Sequence, residues 1–215
     1  MSDQPGILAR GPWTVEQVTA TWREDAFEPS GGHVSAADDA ITALRDRGSP
    51  SHDGTAARLV SFDAHDGGLR IELQPIRWAL RLVEGDASDS VAGLCVIRDH
   101  DGRWLAGRRA AWLSSWAGRW ALGAGGAVDP GENPVDTLAR EMQEEWQLVP
   151  ERQTVEALVR LPHHLVMLIG QAWVAPGAKV VMDHEHDAYA WWPADVADWP
   201  EEADEPLRGL ASMLA

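Results

Sequence analysis

One stretch of the chain concentrates acidic side chains at helical spacing. It reads GAVDPGENPVDTLAREMQEEWQL over residues 126–148. Glu141, Glu144 and Glu145 are neighbours on a helix, because residues three and four positions apart lie side by side. Three carboxylates so placed repel one another, and a hard divalent cation such as Mg²⁺ removes the conflict, since it prefers oxygen ligands and often bridges carboxylates to phosphates. The stretch therefore predicts a site for a divalent cation and a phosphorylated ligand.

The same stretch contains the signals that would build this helix. Asn133 is a favourable N-cap and Pro134 suits the first helical position, so the helix is predicted to begin there. Apolar residues recur at three- and four-residue steps and predict a buried stripe formed by Val135, Leu138, Met142 and Trp146. The three glutamates are predicted to lie together on the face opposite this stripe.

The spacing of these residues resembles the signature of the Nudix hydrolases, G-x5-E-x7-R-E-U-x-E-E-x-G-U with U aliphatic. The matching positions are Gly126, Glu132, Arg140, Glu141, Met142, Glu144, Glu145 and Leu148. Gln147 stands where the signature has its second glycine. Glycine commonly ends a helix because it adopts positive φ without strain. A non-glycine residue in that geometry costs roughly 1 kcal/mol, so the chain is expected to leave this helix in a different way.

The resemblance implies a metal centre on this helix. The ligands it implies for Mg²⁺ or Mn²⁺ are the main-chain carbonyl of Gly126 and the carboxylates of Glu141, Glu144 and Glu145. Glu132 and Arg140 would pair with each other and orient Glu141. The resemblance also implies the fold class, an α/β/α sandwich with a mixed sheet, preceded here by a small α+β region.

The reaction implied by the resemblance is attack of water on the pyrophosphate linkage of a nucleoside diphosphate derivative. The metal ions would acidify the water and neutralise charge on the bridging and leaving oxygens. A carboxylate would accept the proton, and the candidates are Glu141, Glu145 and the downstream Glu185. Trp116 and Trp120 flank the predicted site, and either is a candidate for stacking on a base.

The chain divides into two predicted domains at the acidic segment EGDASDS (84–90). Residues 1–86 are predicted to form a small α+β domain with helices at 13–25 and 35–47, a hairpin of strands at 57–62 and 69–73, and a strand at 76–82. Residues 87–215 form the predicted Nudix domain, with strands at 90–99, 103–109, 165–175 and 188–193 and a closing helix at 202–214.

Composition disfavours several classes of function. The formal net charge of -16 repels phosphate backbones, and no Lys/Arg-rich run reverses it, so nucleic acid is not expected as a partner. The first residues do not resemble a signal peptide, and the longest apolar stretch, 165–175, is too short to span a bilayer, so a soluble cytoplasmic protein is expected. Cys95 lies in an apolar run and is interpreted as a buried thiol. A tryptophan-rich surface would allow a homodimer.

Two questions about function stay open in the sequence. The segments RGSPSHDGTAARLVSF (47–62) and LRIELQPIRWALRL (69–82) are similar to the extra domain of Nudix enzymes that act on UDP-sugars. A nucleotide sugar such as UDP-glucose is therefore one expected substrate, and a compound of the ADP-ribose type is the other. The alternative is a catalytically idle Nudix-like sensor that binds a nucleotide metabolite. His184, Glu185 and His186 lack a further partner for zinc and are interpreted as an exposed polar loop.

Overall fold

The computed structural model describes residues 4–49, 53–113 and 115–214. Its strands are β1 (Gly6–Thr14), β2 (Val18–Trp22), β3 (Thr55–Asp63), β4 (Leu69–Arg77), β5 (Val91–Arg98), β6 (Trp104–Arg109), β7 (Trp120–Leu122), β8 (Ala124–Ala127), β9 (Arg152–Arg160), β10 (Val166–Trp173) and β11 (His186–Trp192). Its helices are α1 (Gly31–Asp46), α2 (Pro134–Trp146) and α3 (Glu205–Leu214), with a short 3₁₀ helix at Trp78–Leu82. Within these ranges, none of the helices combines the length and apolar character that crossing a membrane requires.

A mixed sheet in the order β1-β9-β10-β5-β6-β11 forms the centre of the fold. β5 and β10 are parallel, and β7 and β8 pair with β6 and β5. Along β5, Cys95 and Ile97 join the core that contains α2, whereas Val96 joins the core that contains α3. Since alternate residues of a strand point to opposite faces, helices cover both faces of the sheet. The predicted α/β/α sandwich with a mixed sheet is confirmed, and the Cys95 thiol is buried.

A smaller sheet, in the order β2-β4-β3, lies in sequence between β1 and β5 of the main sheet. α1 packs against the 3₁₀ helix in a core that contains Ile41 and Leu80. Leu59 and Leu73 of the smaller sheet belong to the same core as α2, and β1 is an edge strand of the main sheet beside β9. The division of the chain into domains at residues 86 and 87 stays a prediction.

The predicted helix at 13–25 is wrong. The segment forms the end of β1, a single 3₁₀ turn and then β2, whose sequence is VTATW. Val18 is buried and Thr19 is exposed, as expected for alternating faces of a strand. Valine and threonine also favour strands because their branched side chains pack well on a pleated surface.

The predicted strand at 76–82 is wrong beyond Arg77. There the chain leaves β4 and forms the 3₁₀ helix, which buries Ala79 and Leu80 against α1. Alternation over so few residues does not separate a strand from a short helical turn. The other predicted elements are confirmed with shifted ends, namely the helices at 35–47 and 202–214, the hairpin, and the strands at 90–99, 103–109, 165–175 and 188–193.

Gln147 ends α2 in the left-handed region, with φ 53° and ψ 35°. Its N–H donates to the carbonyl of Gln143 at 3.1 Å, and the N–H of Leu148 donates to the carbonyl of Met142 at 3.3 Å. These bonds resemble the cap that glycine usually completes. The expectation that the chain leaves the helix differently is therefore wrong, because an exposed glutamine adopts the glycine geometry.

Gln147→Gly should raise the free energy of unfolding by about 1 kcal/mol, because glycine adopts positive φ without strain from a Cβ. Greater freedom of glycine in the unfolded chain reduces this gain. Urea unfolding of the two proteins measures the difference, and Gln147→Ala, which keeps the Cβ, should show no comparable gain. A glycine variant no more stable than the parent protein would contradict the strain argument.

Candidate active site

The start of α2 is held by its own N-cap and by hydrogen bonds with β2. Asn133 Oδ1 accepts a hydrogen bond from the N–H of Val135 at 3.2 Å, which confirms the predicted cap. The Asn133 side-chain amide donates to the carbonyl of Val18 at 3.0 Å, and Trp22 Nε1 donates to the carbonyl of Glu132 at 3.0 Å. Strand β2 therefore anchors the loop that leads into the helix and sets the register of the acidic residues.

The glutamates of α2 lie together, but two of them are buried. Glu141 is 8% exposed and Glu145 is 6% exposed, whereas Glu144 is exposed to solvent. The fully buried stripe consists of Leu138, Met142 and Trp146. The prediction that all three glutamates occupy the face opposite the stripe is wrong for Glu141 and Glu145, because β8 covers the helix on that side.

Strand β8 approaches the carboxylates with two glycines. The N–H of Gly125 donates to Glu145 Oε1 at 3.2 Å. A Cβ added at Gly126 would overlap the carboxylate of Glu141. The close approach of backbone and carboxylate therefore requires glycine at position 126.

Gly126→Ala should lower the turnover of the preferred substrate about a hundredfold, since displacement of catalytic groups by roughly 1 Å has an effect of that size. Steady-state kinetics would measure this loss beside Gly209→Ala, because Gly209 is an exposed helical glycine with open space around its Cα. The control should keep full activity. Unchanged turnover in Gly126→Ala would show that the carboxylate of Glu141 relaxes without consequence.

Arg140 is the centre of a hydrogen-bond network. Its Nε donates to Glu132 Oε1 at 3.0 Å and its Nη1 donates to Glu141 Oε1 at 2.6 Å. The same guanidinium donates to the carbonyl of Ala127 at 2.9 Å and to Glu144 Oε2 at 3.2 Å. One arginine thus connects three glutamates of the signature with the strand that carries Gly126.

The charges of this network stabilise each other. Burial would lower the pKa of Arg140, but the carboxylates of Glu132 and Glu141 raise it above its ordinary value. Burial would raise the pKa of Glu132, but hydrogen bonds from Arg140 and Thr137 lower it below its ordinary value. These shifts favour the charged forms of Glu132 and Arg140, and the pair can hold the Glu141 carboxylate.

Glu141 and Glu145 resist ionisation in the folded protein. Burial, with a smaller contribution from the charges of Glu144 and Glu185, raises the pKa of Glu141 to about 7 against the lowering effect of Arg140. Burial also raises the pKa of Glu145 well above its ordinary value, and the neighbouring Glu141 adds to this shift. A bound divalent cation would supply the missing positive charge, and a donor set made only of oxygens fits Mg²⁺ or Mn²⁺.

The loop before β11 brings further polar groups to the carboxylates. The N–H of Asp183 donates to the carbonyl of Glu145 at 2.9 Å, and Asp183 Oδ1 accepts from the N–H of Glu185 at 3.0 Å. Arg109 Nη2 donates to Glu185 Oε2 at 3.3 Å. His186 Nδ1 lies 3.0 Å from Asp183 Oδ1, and its Nε2 lies 3.9 Å from Glu145 Oε2. The structure therefore places Glu185 beside Glu141 and Glu145.

The interpretation of residues 184–186 as an exposed loop is wrong for His186. This side chain is 5% exposed and lies 4.3 Å from the ring of Trp146 between centroids. Burial lowers its pKa, against the opposing effect of Asp183. The signal for its burial was the alternation of β11, which extends back from Ala188 to His186.

A cleft of about 420 Å³ opens beside these residues. Its lining includes the carboxylates of Glu141, Glu144, Glu145 and Glu185, together with Thr55 and Trp78 from the N-terminal region. The structure does not bring Trp116 or Trp120 into this lining. Trp116 is an exposed loop residue beside Arg119, and Trp120 packs against Trp192 in the core below α3.

A separate acidic group lies in the turn between β5 and β6. The ligand atoms of Asp99, His100 and Asp101 lie within 4.8 Å of one another. Asp99 already accepts hydrogen bonds from the main chain of Asp101 at 3.0 Å and of Arg103 at 2.8 Å. This group therefore holds a turn together rather than extending the cleft.

Comparison with known proteins gives one family match and several similar solved structures. The family model described as NUDIX domain matches residues 89–212. A search of the curated proteins gives no match. Among solved structures, the MutT protein of Methanosarcina mazei Go1 is 28% identical, with 48% of this chain and 76% of that chain covered and a TM-score of 0.41. The MutT NUDIX hydrolase of Burkholderia pseudomallei is 26% identical, with 59% and 98% covered and a TM-score of 0.49.

Proposed function

The chain belongs to the Nudix hydrolase family, and on this premise we propose that it uses Mg²⁺ or Mn²⁺ to hydrolyse the pyrophosphate linkage of a nucleoside diphosphate derivative. The observation that carries the proposal is the pair of buried carboxylates, Glu141 and Glu145, which line one cleft with Glu144 and Glu185. Buried like charges are unfavourable unless a cation joins them, so this arrangement supports a metal-dependent reaction.

The proposed metal ligands are the main-chain carbonyl of Gly126 and the carboxylates of Glu141, Glu144 and Glu145. When bound, the metal would acidify water and neutralise charge on the phosphate oxygens. Arg140 supports this site because its hydrogen bond to Glu141, at 2.6 Å, restricts the orientation of that carboxylate. Glu132 holds Arg140 in turn.

Glu185 is the proposed proton acceptor. It lies in the cleft without belonging to the proposed metal ligands, and its side chain is 37% exposed, so water can reach it. Arg109 Nη2 lies 3.3 Å from its Oε2 and holds the carboxylate in position. A carboxylate that water can reach and that lies next to the proposed metal site is suited to accept a proton from attacking water.

The proposed substrate is a nucleotide sugar such as UDP-glucose, or a compound of the ADP-ribose type. The similarity of residues 47–62 and 69–82 to UDP-sugar enzymes supports the first possibility. A cleft of about 420 Å³ lies within the usual size range of small-molecule sites. The net charge of -16 makes a free anionic substrate unfavourable at the surface, so the metal and Arg140, which lines the cleft, would have to offset this repulsion.

Mg²⁺-dependent hydrolysis across a panel of UDP-sugars, ADP-ribose, dinucleoside polyphosphates, NADH, coenzyme A and dNTPs tests the proposal. Turnover of one class, with release of nucleoside monophosphate and loss of activity in a chelator, would support the enzyme and identify its substrate. No turnover in the panel, together with a nucleotide that raises the melting temperature, would favour the idle sensor instead. Light scattering on the same preparation tests the predicted homodimer.

A further inference from the structure

The 3₁₀ helix at Trp78–Leu82 contributes to the cleft but lies outside the matched family segment. The match begins at residue 89, so family membership assigns no role to this helix. Its first residue, Trp78, lines the same cleft as Glu141 and Glu145. The N-terminal region therefore supplies a large planar side chain to the place where the substrate is proposed to bind.

The backbone of this helix is held firmly. Ala79 and Leu80 are fully buried in the core formed with α1. The N–H of Trp78 donates to the carbonyl of Gly54 at 2.8 Å, and the preceding Arg77 pairs with two aspartates. A side chain on such a fixed backbone loses little freedom when a ligand binds to it.

Arg81 provides a positive charge next to Trp78, and of the two only Trp78 itself lines the cleft. Its guanidinium carbon lies 5.5 Å from the Trp78 ring centroid, and it is close enough to Glu141 and Arg109 to interact electrostatically with both. Arg109 has a carboxylate partner in Glu185. By contrast, the Arg81 guanidinium forms no ion pair or hydrogen bond within residues 4–49, 53–113 and 115–214, and burial lowers its pKa. A partly buried guanidinium of this kind is stabilised when an anion binds to it.

We propose that Trp78 and Arg81 recognise the nucleotide part of the substrate. Trp78 stacks on the base, and Arg81 donates hydrogen bonds to a phosphate oxygen. This inference rests on the proposed function, because it takes the ligand of the cleft to be a nucleoside diphosphate derivative. An indole can stack on every base, since each base has a π-face. This pair therefore selects nucleotides over other phosphates without a strong preference for one base.

Isothermal titration calorimetry of the full chain with Mg²⁺ tests the proposal with three non-hydrolysable probes. They are α,β-methylene-ADP, α,β-methylene-UDP and methylenediphosphonate, which lacks a nucleoside. Trp78→Ala should weaken both nucleotide probes about tenfold and leave methylenediphosphonate unchanged. Arg81→Gln should weaken all three about tenfold, because it removes a charged donor to phosphate.

Matched controls come from a second arginine and tryptophan pair outside the cleft. The guanidinium carbon of Arg152 lies 3.4 Å from the Trp173 ring centroid. Arg152→Gln and Trp173→Ala should not alter the affinity for any probe. If Trp78→Ala fails to fold, Trp78→Phe and Trp78→Leu replace it, since phenylalanine keeps a stacking surface and leucine does not.

Each possible result of the titration either supports or overturns the inference. Three results would overturn it. Trp78→Ala could weaken nucleotides and methylenediphosphonate equally, or either variant could keep the affinity of the parent protein. The third is that no probe binds to the parent protein. Failure of the proposed function gives a different result, in which the parent protein hydrolyses nothing but binds the nucleotide probes in a Trp78-dependent way. Hydrolysis with unchanged affinity in Trp78→Ala would overturn this inference alone.

Discussion

Glu145→Gln should reduce kcat/KM for the preferred substrate about a thousandfold in Mg²⁺, because a lost metal ligand removes several kcal/mol of charge stabilisation. Glu145 is 6% exposed, and its Oε1 accepts a hydrogen bond from Gly125 at 3.2 Å. Glutamine has nearly the same shape and can keep this acceptor, so the fold should survive. It removes the negative charge and replaces one carboxylate oxygen with an amide nitrogen, which cannot bind a cation.

Glu151→Gln is the matched control for this variant. Glu151 is an exposed glutamate that follows α2 and does not line the cleft, so its replacement should leave activity unchanged. Melting curves with increasing Mg²⁺ separate a metal defect from a folding defect. The parent protein and the control should gain stability with Mg²⁺, whereas Glu145→Gln should gain much less. Activity within about tenfold of the parent protein would place the essential metal ligands elsewhere.

The register of α2 could be predicted from sequence because its signals are local. Asn133 and Pro134 mark its start, and the spacing of Glu141, Glu144 and Glu145 places them side by side on any helix. Burial of Glu141 and Glu145 could not be predicted in this way. It depends on the approach of β8, and the glycine that permits this approach lies outside the helix.

Which aromatic residues line the cleft could not be predicted from sequence either. Trp116 and Trp120 are close to the signature in sequence, yet one lies in an exposed loop and the other packs below α3. Trp78 is far from the signature in sequence but lines the cleft, because the 3₁₀ helix packs against α1 and adjoins the start of β3. Position in the chain predicts proximity only within an element, while contacts between elements follow from topology.

In the absence of metal, Glu141→Gln should be more stable than the parent protein by about 3 kcal/mol above pH 7. Burial raises the pKa of Glu141 from 4.5 to about 7, so each pH unit between these values costs the folded state about 1.4 kcal/mol. The unfolded chain ionises this group near 4.5 and therefore binds fewer protons than the folded state in this window. The stability of the parent protein thus falls as pH rises from about 4.5 to about 7, while glutamine does not titrate.

The comparison reports Glu141 together with its coupling to Glu145, because the remaining titrating groups are common to both proteins. Burial lowers the pKa of His186, which alters stability in the acidic range, but this contribution cancels in the difference. Arg140 keeps Glu132 and the carbonyl of Ala127 as partners when Glu141 becomes glutamine. Urea unfolding in a chelator at about pH 5 and about pH 8 measures the change, and Glu151→Gln should match the parent protein at both values.

Mg²⁺ should reverse the order of stability, because a ligand that binds only the folded state adds stability in proportion to its affinity. The parent protein, with an intact set of carboxylates, should gain more from Mg²⁺ than Glu141→Gln does. Glu141 would then destabilise the metal-free fold and also be required to bind the metal. This double role accounts for a carboxylate that is both buried and held by Arg140. A variant less stable than the parent protein at about pH 8 in chelator would mean that the ion pair with Arg140 outweighs the cost of burial.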